Sequence, residues 1–499
     1  MKVLLLNPPY RVKVNNKYER FFVRAGSRWP YSEYKRISEP SIYRPFPFFL
    51  AYTASLLIKN GYKVEVIDGV ALQYTKEEFL EKVLSKSVDV VVIEIAPFSI
   101  NEDIELAKML KSKNSFVITI AVGPFVPLLI EYIKEKNGFD YAVNGEYEFA
   151  VLEVVEFLKI EKEVKVKGVS NLKNEHLDSS YTGLIEPLDS LPFPSREIFP
   201  SNECSKIDEY WDVFCQLRPA VQMHTSRGCP YRCYFCLWNQ VMYREGKYRT
   251  FSVKRVVDEM ELIVKKFNAK EIYIDDDDFT INKNRVREIC DEIMKRGLKL
   301  KWSFMGDAIN LDEKLISRLS ESGCIGIKFG VESANKEVLK TLGKPVNLEK
   351  VKDMVKWCKK YGIRTHATFT FGLYNETIGS LNETLEFAKK LDTDSVQFSI
   401  ATPYPGTRFY NELISTNRIN NFDWMNYDGS CRCVISYPGL SSDEIENIFK
   451  SAFKKWLICK FINPFWVLRQ VKFLLRTIFS QRLKYNYIFI KRVVNKIGS

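Results

Sequence analysis

The chain has 499 residues, 46% of them hydrophobic and 27% charged, with 74 Lys and Arg against 62 Asp and Glu for a formal net charge of +12. Such a composition excludes a disordered or fibrous chain and suffices for two to four ordinary domains. No apolar run reaches the roughly 18 residues of a membrane span, and the opening Met1-Lys-Val-Leu-Leu-Leu-Asn-Pro-Pro breaks too early for a secretory signal. Eleven cysteines in such a chain read as thiols and ligands rather than disulfides. The expected compartment is therefore the reducing cytoplasm.

Residues 1–160 alternate two signals. Apolar runs at 3–7, 63–68, 88–95, 116–122 and 141–143 predict strands, and the spacing at 48–60, 76–86 and 102–111 predicts helices, the first with Gly61 as a C-cap. Buried parallel strands with crossover helices imply a doubly wound, Rossmann-like sheet. Residues 161–219 lose this periodicity and collect prolines, as in Leu191-Pro-Phe-Pro-Ser, which reads as a linker or wrapping segment. A second alternation fills 220–411. Its strands are expected near 221–225, 271–275, 301–305, 326–331, 364–371 and 395–401, and its helices near 253–267, 283–296, 313–321, 348–361 and 380–390. Six βα steps suit a partial (βα)6 barrel with its chemistry at the carboxyl ends of the strands. Residues 412–499 form the remaining region, helical and basic.

The most informative motif follows the first strand of that barrel: Ser226-Arg-Gly-Cys-Pro-Tyr-Arg-Cys-Tyr-Phe-Cys. Cys229, Cys233 and Cys236 are spaced C-x3-C-x2-C, with Phe235 directly before the third. Three thiolates on one short loop can hold three irons of a [4Fe–4S] cubane and leave the fourth open to a chelating ligand. A structural zinc site would want a fourth close ligand, and His224 is poorly spaced for it.

With this motif the chain resembles the radical S-adenosylmethionine (SAM) superfamily, in which the open iron chelates SAM and one electron cleaves it to a 5′-deoxyadenosyl radical. Further segments extend the resemblance over about 1–411. Ile272-Tyr-Ile-Asp-Asp-Asp-Asp looks like the segment that meets the SAM amino group, which implies roles for Asp275 and Asp276; a solvated loop or a divalent-metal site is the other reading of these aspartates. Gly330-Val-Glu-Ser looks like the motif that contacts SAM, with Glu332 and Ser333 as its polar groups, and Pro403-Tyr-Pro-Gly-Thr would wall the same pocket. The first 160 residues resemble the cobalamin-binding domain that precedes many such barrels, and Gly123 and Gly145 stand at the expected strand ends. No Asp-x-His-x-x-Gly segment supplies a lower cobalt ligand, so cobalamin binding and a sheet kept for its architecture both fit here.

Cys236-Leu-Trp-Asn-Gln with Tyr248-Arg-Thr-Phe-Ser is similar to radical SAM enzymes of membrane-lipid maturation, which form cyclitol ethers on hopanoids or calditol on archaeal lipids. That likeness implies ring formation on a lipid or lipid-linked head group, with a reducing electron donor as partner. Cobalamin-dependent methylation of an unactivated carbon is the alternative, and a cluster-bearing electron-transfer protein a third. The chain departs from the family pattern at Gly306-Asp-Ala and Tyr374-Asn-Glu-Thr.

Residues 447–499 hold twelve Lys or Arg, eleven aromatics and no acidic residue. This pattern suits a helix at an anionic membrane interface on the cytoplasmic face, a helical cap on the barrel, or, less well, a nucleic-acid surface. His366 on the fifth barrel strand reads either as a proton donor and acceptor or as a core histidine. Cys431 and Cys433 with Cys204 and Cys215 could carry an auxiliary cluster, while Cys290, Cys324 and Cys358 read as core.

Overall fold

The computed structural model describes residues 1–27, 31–174, 177–178, 180–244 and 246–478. The chain forms two compact units, Met1–Trp211 with Leu237–Glu245, and Asp212–Cys236 with Gly246–Ser499.

In the first unit β1 (Lys2–Asn7) leads into a meander of β2 (Tyr10–Lys13), β3 (Tyr18–Val23) and β4 (Tyr31–Arg36). There follow α1 (Phe48–Lys59), β5 (Lys63–Asp68), α2 (Lys76–Leu84), β6 (Val90–Glu94), α3 (Ile100–Lys113), β7 (Ile118–Val122), α4 (Val126–Lys136), β8 (Tyr141–Val143), α5 (Glu148–Lys159) and β9 (Val169–Asn171). The main sheet has the order β5-β1-β6-β7-β8-β9, parallel except for β9. Its central strands, Val-Leu-Leu-Leu in β1 and Val-Val-Val-Ile in β6, are buried on both faces, as strands covered by helices on both sides must be. The chain runs from β1 outward to β5 and then returns to β6 on the other side of β1, so a topological switch point lies outside the carboxyl ends of β1 and β6.

The meander is not evident in the sequence, because its strands alternate charged with aromatic residues. Lys35 and Arg11 both pair with Glu19, at 2.6 and 3.3 Å, and both cations lie over the Phe21 ring. Residues 161–211 wrap back on this unit: β9 extends the sheet, Asn202 Oδ1 accepts the Val66 N–H (2.8 Å), and Tyr210 donates to Asp68 (2.9 Å). Residues after Cys236 also belong here, with Trp238 stacked on Phe49 at 5.5 Å and Tyr181 Oη donating to Met242 O (2.7 Å).

The second unit runs β10 (Ala220–Met223), β11 (Ser226–Arg227), β12 (Arg249–Thr250), α6 (Val253–Phe267), β13 (Glu271–Ile274), α7 (Lys283–Lys295), β14 (Trp302–Gly306), α8 (Glu313–Glu321), β15 (Cys324–Glu332), α9 (Lys336–Thr341), α10 (Leu348–Lys360), β16 (Arg364–Phe371), α11 (Ile378–Lys390), β17 (Ser395–Ile400), α12 (Arg408–Ser415), α13 (Ser442–Phe461) and α14 (Pro464–Ile478). Six parallel strands stand in simple order, β10-β13-β14-β15-β16-β17, an open partial barrel. Its helices begin where local chemistry says they should: Ser252, Asn282, Asp312, Asn347 and Thr377 each accept a backbone N–H at the N-cap. Helices and strands therefore alternate in register, and the loops after the strands gather at one edge.

Candidate active site

The cysteine loop leaves the carboxyl end of β10 and is braced before it begins. Asp276 is buried, and its two oxygens accept four hydrogen bonds: from the Thr225 and Ser226 N–H groups (2.6 and 3.1 Å) and from their hydroxyls (2.5 and 2.6 Å). Asp277 accepts the Gly228 N–H at 2.8 Å. Beyond the first cysteine, the Arg232 N–H donates to Gly343 O (3.0 Å) and the Tyr234 N–H to Leu342 O (3.2 Å). Gly343 has φ +83°, and a Cβ there would lie 2.2 Å from Arg232 O, so only glycine lets the two loops approach. Tyr234, edge-on to Phe235 at 5.6 Å, accepts the Tyr374 N–H through its hydroxyl (2.7 Å).

The three cysteines are partly exposed. Burial, with Asp278 nearby, pushes the Cys229 thiol up, and burial pushes Cys233 up to about 12 despite Lys344. Cys229 lies within electrostatic reach of Cys233, and Cys233 of Cys236, as three thiols on one short loop should. Among the described residues no three His, Cys, Asp or Glu converge on one ion position. A cubane makes a different demand, since each thiolate binds its own iron, and three thiols on one loop fit such a cluster with one open iron.

A polar constellation adjoins this loop, and its central member is absent from the sequence-based expectations. Lys344 Nζ lies 3.0 Å from Asp307 Oδ2 and 3.5 Å from Glu332 Oε1, and donates to Gly330 O at 2.9 Å. Burial works against its charge, but Asp307, Glu332 and Cys233 together lift it well above the ordinary lysine value. Glu332 ends β15 at φ +66° after a bulge, and its Oε2 accepts from the Thr370 hydroxyl at 2.9 Å. Gly330 is what makes room: a Cβ there would lie 2.1 Å from Glu332 Oε1 and 3.1 Å from Lys344 Nζ. Asp278, held by Thr280, is pushed up to about 7 by burial and then by Asp307. The departure at Gly306-Asp-Ala thus places a carboxylate that a lysine from another loop neutralises. The turn Gly343-Lys-Pro gives no local sign of this in sequence.

The structure gives several of the sequence-predicted residues local partners. Asp276 is committed to Thr225 and Ser226, so it positions the cysteine loop and has no lone pair left for a ligand. Ser333 faces inward, 3.1 Å from the Thr384 hydroxyl and accepting the Asn335 N–H at 3.2 Å, and braces the turn after β15. His366 stands three residues before Phe369, the residue level with Glu332, which sets it about 10 Å back from the site edge. It is buried, its Nδ1 2.8 Å from the Ser395 hydroxyl, and burial holds it down at about 3, so it is a core histidine rather than a proton donor at this edge. Asp275 is buried and its N–H continues the ladder to Met223 O (2.9 Å); Pro403 is buried in the loop after β17. The aspartates 276–278 turn to separate partners, which removes the divalent-metal reading of that run.

In the first unit the switch-point edge carries Asn7, Asp68 and Glu94. Asn7 Nδ2 and the Tyr210 hydroxyl both donate to Asp68, which burial pushes up to about 6. Glu94 accepts the Tyr147 hydroxyl at 2.7 Å, and burial pushes it up to about 7. Gly123 and Gly145 stand at this edge, but the fold itself explains both. A Cβ on Gly123 would lie 2.8 Å from the Glu94 side chain, and one on Gly145 2.3 Å from Tyr181 and Thr182. No histidine is present at this edge among the described residues. A cobalamin bound here would be held without a protein imidazole, beside the neutral donors Asn7, Tyr147 and Tyr210 and the buried Arg24–Asp103 pair, whose guanidinium donates to Glu94 O.

A parallel barrel with a three-cysteine loop at its carboxyl edge, together with a doubly wound sheet, defines the class, and comparison with known proteins agrees. The sequence model of the Radical SAM superfamily matches residues 223–388, and that of the B12 binding domain matches 43–155. An uncharacterized methyltransferase of Pyrococcus horikoshii is 31% identical over 410 residues, covering 82% of this chain and 86% of its own. The anaerobic magnesium-protoporphyrin IX monomethyl ester cyclase of Rubrivivax gelatinosus is 26% identical, over 77% and 68%. Among solved structures, the radical SAM methyltransferase TsrM of Kitasatospora setae, with tryptophan and aza-SAM, superposes with a TM-score of 0.66 over 83% of this chain and 76% of its own, at 18% identity. The chain belongs to the radical SAM superfamily and carries its B12-binding domain, as an enzyme that uses SAM and a [4Fe–4S] cluster.

Proposed function

We propose that the chain is a cobalamin-dependent radical SAM methyltransferase acting on an unactivated carbon, with Cys229, Cys233 and Cys236 as cluster ligands. The observation that carries this reading is the pairing, in one chain, of a B12-binding unit and a three-cysteine barrel, over a length shared with a relative named a methyltransferase at 31% identity. When bound, the cluster supplies the electron that cleaves SAM and cobalamin supplies a methyl carrier. The residues supply the rest. Asp276 and Gly343 fix the loop that presents the thiols. Burial raises the Cys229 and Cys233 thiols, so iron bound there would have to displace their protons. Lys344 and Glu332, already paired, offer a cation and a carboxylate to the zwitterionic end of SAM.

Ring formation is the second reading, favoured by the relative named a cyclase. Ring formation on a lipid head group draws no support from these names, and methyl transfer does. Anaerobic reconstitution, reduction and incubation with SAM test the choice. S-adenosylhomocysteine together with deoxyadenosine, from protein showing the cobalamin visible spectrum, supports methyl transfer. Deoxyadenosine alone supports ring formation. Neither product, with the cluster intact, overturns both readings in favour of an electron carrier.

A further inference from the structure

Helices α13 and α14 form a hairpin whose two sides differ. The inner side is a cap on the barrel unit: Trp456 and Trp466 meet edge to face at 5.8 Å, Trp466 Nε1 donates to Thr393 O (3.0 Å), and Lys460 Nζ donates to Lys389 O and Leu391 O (2.9 and 2.8 Å). Capping accounts for these residues and for none on the outer side. There Ile462 is 78% exposed, Phe465 74% and Leu468 64%, with Phe461, Val471 and Leu475 about half exposed. Positions 465, 468, 471 and 475 recur at helical spacing, so they form one stripe along α14. A continuous exposed apolar ridge of this kind marks an interaction surface.

The charge around the ridge selects the partner. A groove of about 530 Å³ between α10 and α14 is lined by Phe465 and Leu468 from the ridge, by Lys359, Arg469 and Lys472, and by a single carboxylate, Asp392. Asp392 is shared between Lys359 and Arg469, the latter at 2.6 Å. Lys454, Lys455 and Lys472 have no carboxylate partner among the described residues. The cations crowd one another: burial and then Arg469 hold Lys359 below its ordinary value, and burial with Arg469 pushes Lys460 down to about 8. From 447 onward the chain contains twelve Lys or Arg and no acidic residue. No described helix is long and apolar enough to cross a membrane, and an exposed apolar ridge flanked by cations suits the surface of a bilayer.

We propose that this outer face of α13 and α14 docks the enzyme on an anionic membrane surface, with Phe461, Ile462, Phe465 and Leu468 entering the interface and lipid phosphates meeting Lys359, Arg469 and Lys472. The inference is independent of the reaction catalysed, and it leaves the barrel edge untouched. The test is co-sedimentation of the full chain with vesicles of phosphatidylcholine containing phosphatidylglycerol, beside vesicles of phosphatidylcholine alone. Binding is expected only to the anionic vesicles and is expected to weaken with salt. The exposed double substitution Phe465→Asp with Leu468→Asp is expected to weaken it about tenfold or more, while the circular dichroism spectrum and deoxyadenosine formation stay unchanged. Lys472→Glu is expected to weaken it less and to flatten the salt dependence.

Three outcomes overturn the proposal. In the first, wild type fails to bind anionic vesicles at low salt. In the second, the double variant binds as well as wild type. In the third, wild type is a dimer in the ultracentrifuge that only the double variant dissociates, and vesicles do not bind; that result assigns the ridge to a second copy.

Discussion

The two parallel sheets place their polar residues at the same topological position, the carboxyl ends of the strands, but they hold charge there in opposite ways. At the barrel edge Lys344 contacts Asp307 and lies near Glu332, and the lysine stays charged although nearly buried. At the switch point of the first unit, Asp68 and Glu94 are held by Asn7, Tyr210 and Tyr147, all neutral donors, and burial pushes the two acids up to about 6 and 7. One edge is pre-set for a ligand that brings both signs of charge, as SAM does. At the other, burial raises Asp68 and Glu94 toward neutral pH, and the buried Arg24 is committed to Asp103. The same fold principle thus yields two different polar edges: at one Lys344 meets the strand-end carboxylates themselves, and at the other the buried cation Arg24 is taken up by Asp103 (2.8 Å), leaving Asp68 and Glu94 to neutral donors.

The contrast is broken most severely at the cysteine loop. Cys229→Ala is expected to reduce deoxyadenosine to background and to lower the iron bound per chain after reconstitution, read by mass spectrometry and iron assay. Removing the cation at the barrel edge comes next. Lys344→Met leaves the buried Asp307 and the partly buried Glu332 as neighbouring carboxylates without a counter-ion, a defect expected to cost roughly 3 kcal/mol in urea unfolding. Adding Asp307→Asn is expected to recover part of that loss, because one of the stranded charges is then gone. Full stability in the single variant would show that Asp307 and Glu332 do not depend on the lysine. Asp276→Ala strands two buried N–H groups and two hydroxyls at the start of the cysteine loop. It is expected to cost about 2–3 kcal/mol and to lower cluster retention, which a purely local packing defect would leave intact.

Much of this architecture was legible because it depends on local pattern. The barrel strands and helices carry apolar spacing with capping residues at the helix starts, and the cysteine triplet needs only its own spacing to be recognised. What escaped depends on contacts between distant segments. The meander at β2–β4 escaped because Lys35 and Arg11 turn inward to Glu19 and Phe21, so its core face does not look apolar. Lys344 escaped because its partners come from β14 and β15, and nothing around Gly343-Lys-Pro marks it. The local partners of Ser333 were hidden for a related reason. A serine directly after a strand serves a turn as readily as a ligand, and its closeness to the Thr384 hydroxyl appears only in the fold. Glu332 was legible as a motif member, but its left-handed backbone and the bulge that aims it were not.

A pH experiment sharpens the contrast at the first unit. Glu94 has an ordinary value near 4.5 when unfolded and about 7 when folded. A carboxyl raised in this way binds its proton more tightly in the folded state, so its contribution is present below about pH 4.5 and is lost as pH rises through about 7. Over that window the loss is roughly 3 kcal/mol as an upper bound. Glu94→Gln mimics the protonated acid. Its melting temperature is expected to match wild type near pH 5 and to exceed it near pH 8, with the gap opening between the two. A gap of the same size at both pH values would mean that the acid is not titrating in this range.

The smallest effect is expected at His366, where two roles predict different magnitudes. A proton donor or acceptor in the reaction would lose about 10²–10⁴ in rate on replacement. A core histidine away from the strand ends would lose its hydrogen bond to Ser395, worth about 1 kcal/mol, and little rate. Burial holds the ring at about 3, so it is neutral at any pH where the enzyme is assayed. A depressed histidine contributes stability that is present above about pH 6.5 and is lost as pH falls toward 3, because the unfolded chain takes up the proton first. His366→Phe, packed against Phe214, is therefore expected to change turnover by less than about twofold while flattening the acid limb of the stability curve. A large fall in turnover with that limb unchanged would return His366 to the reaction and place chemistry at the wrong end of the strand for this fold.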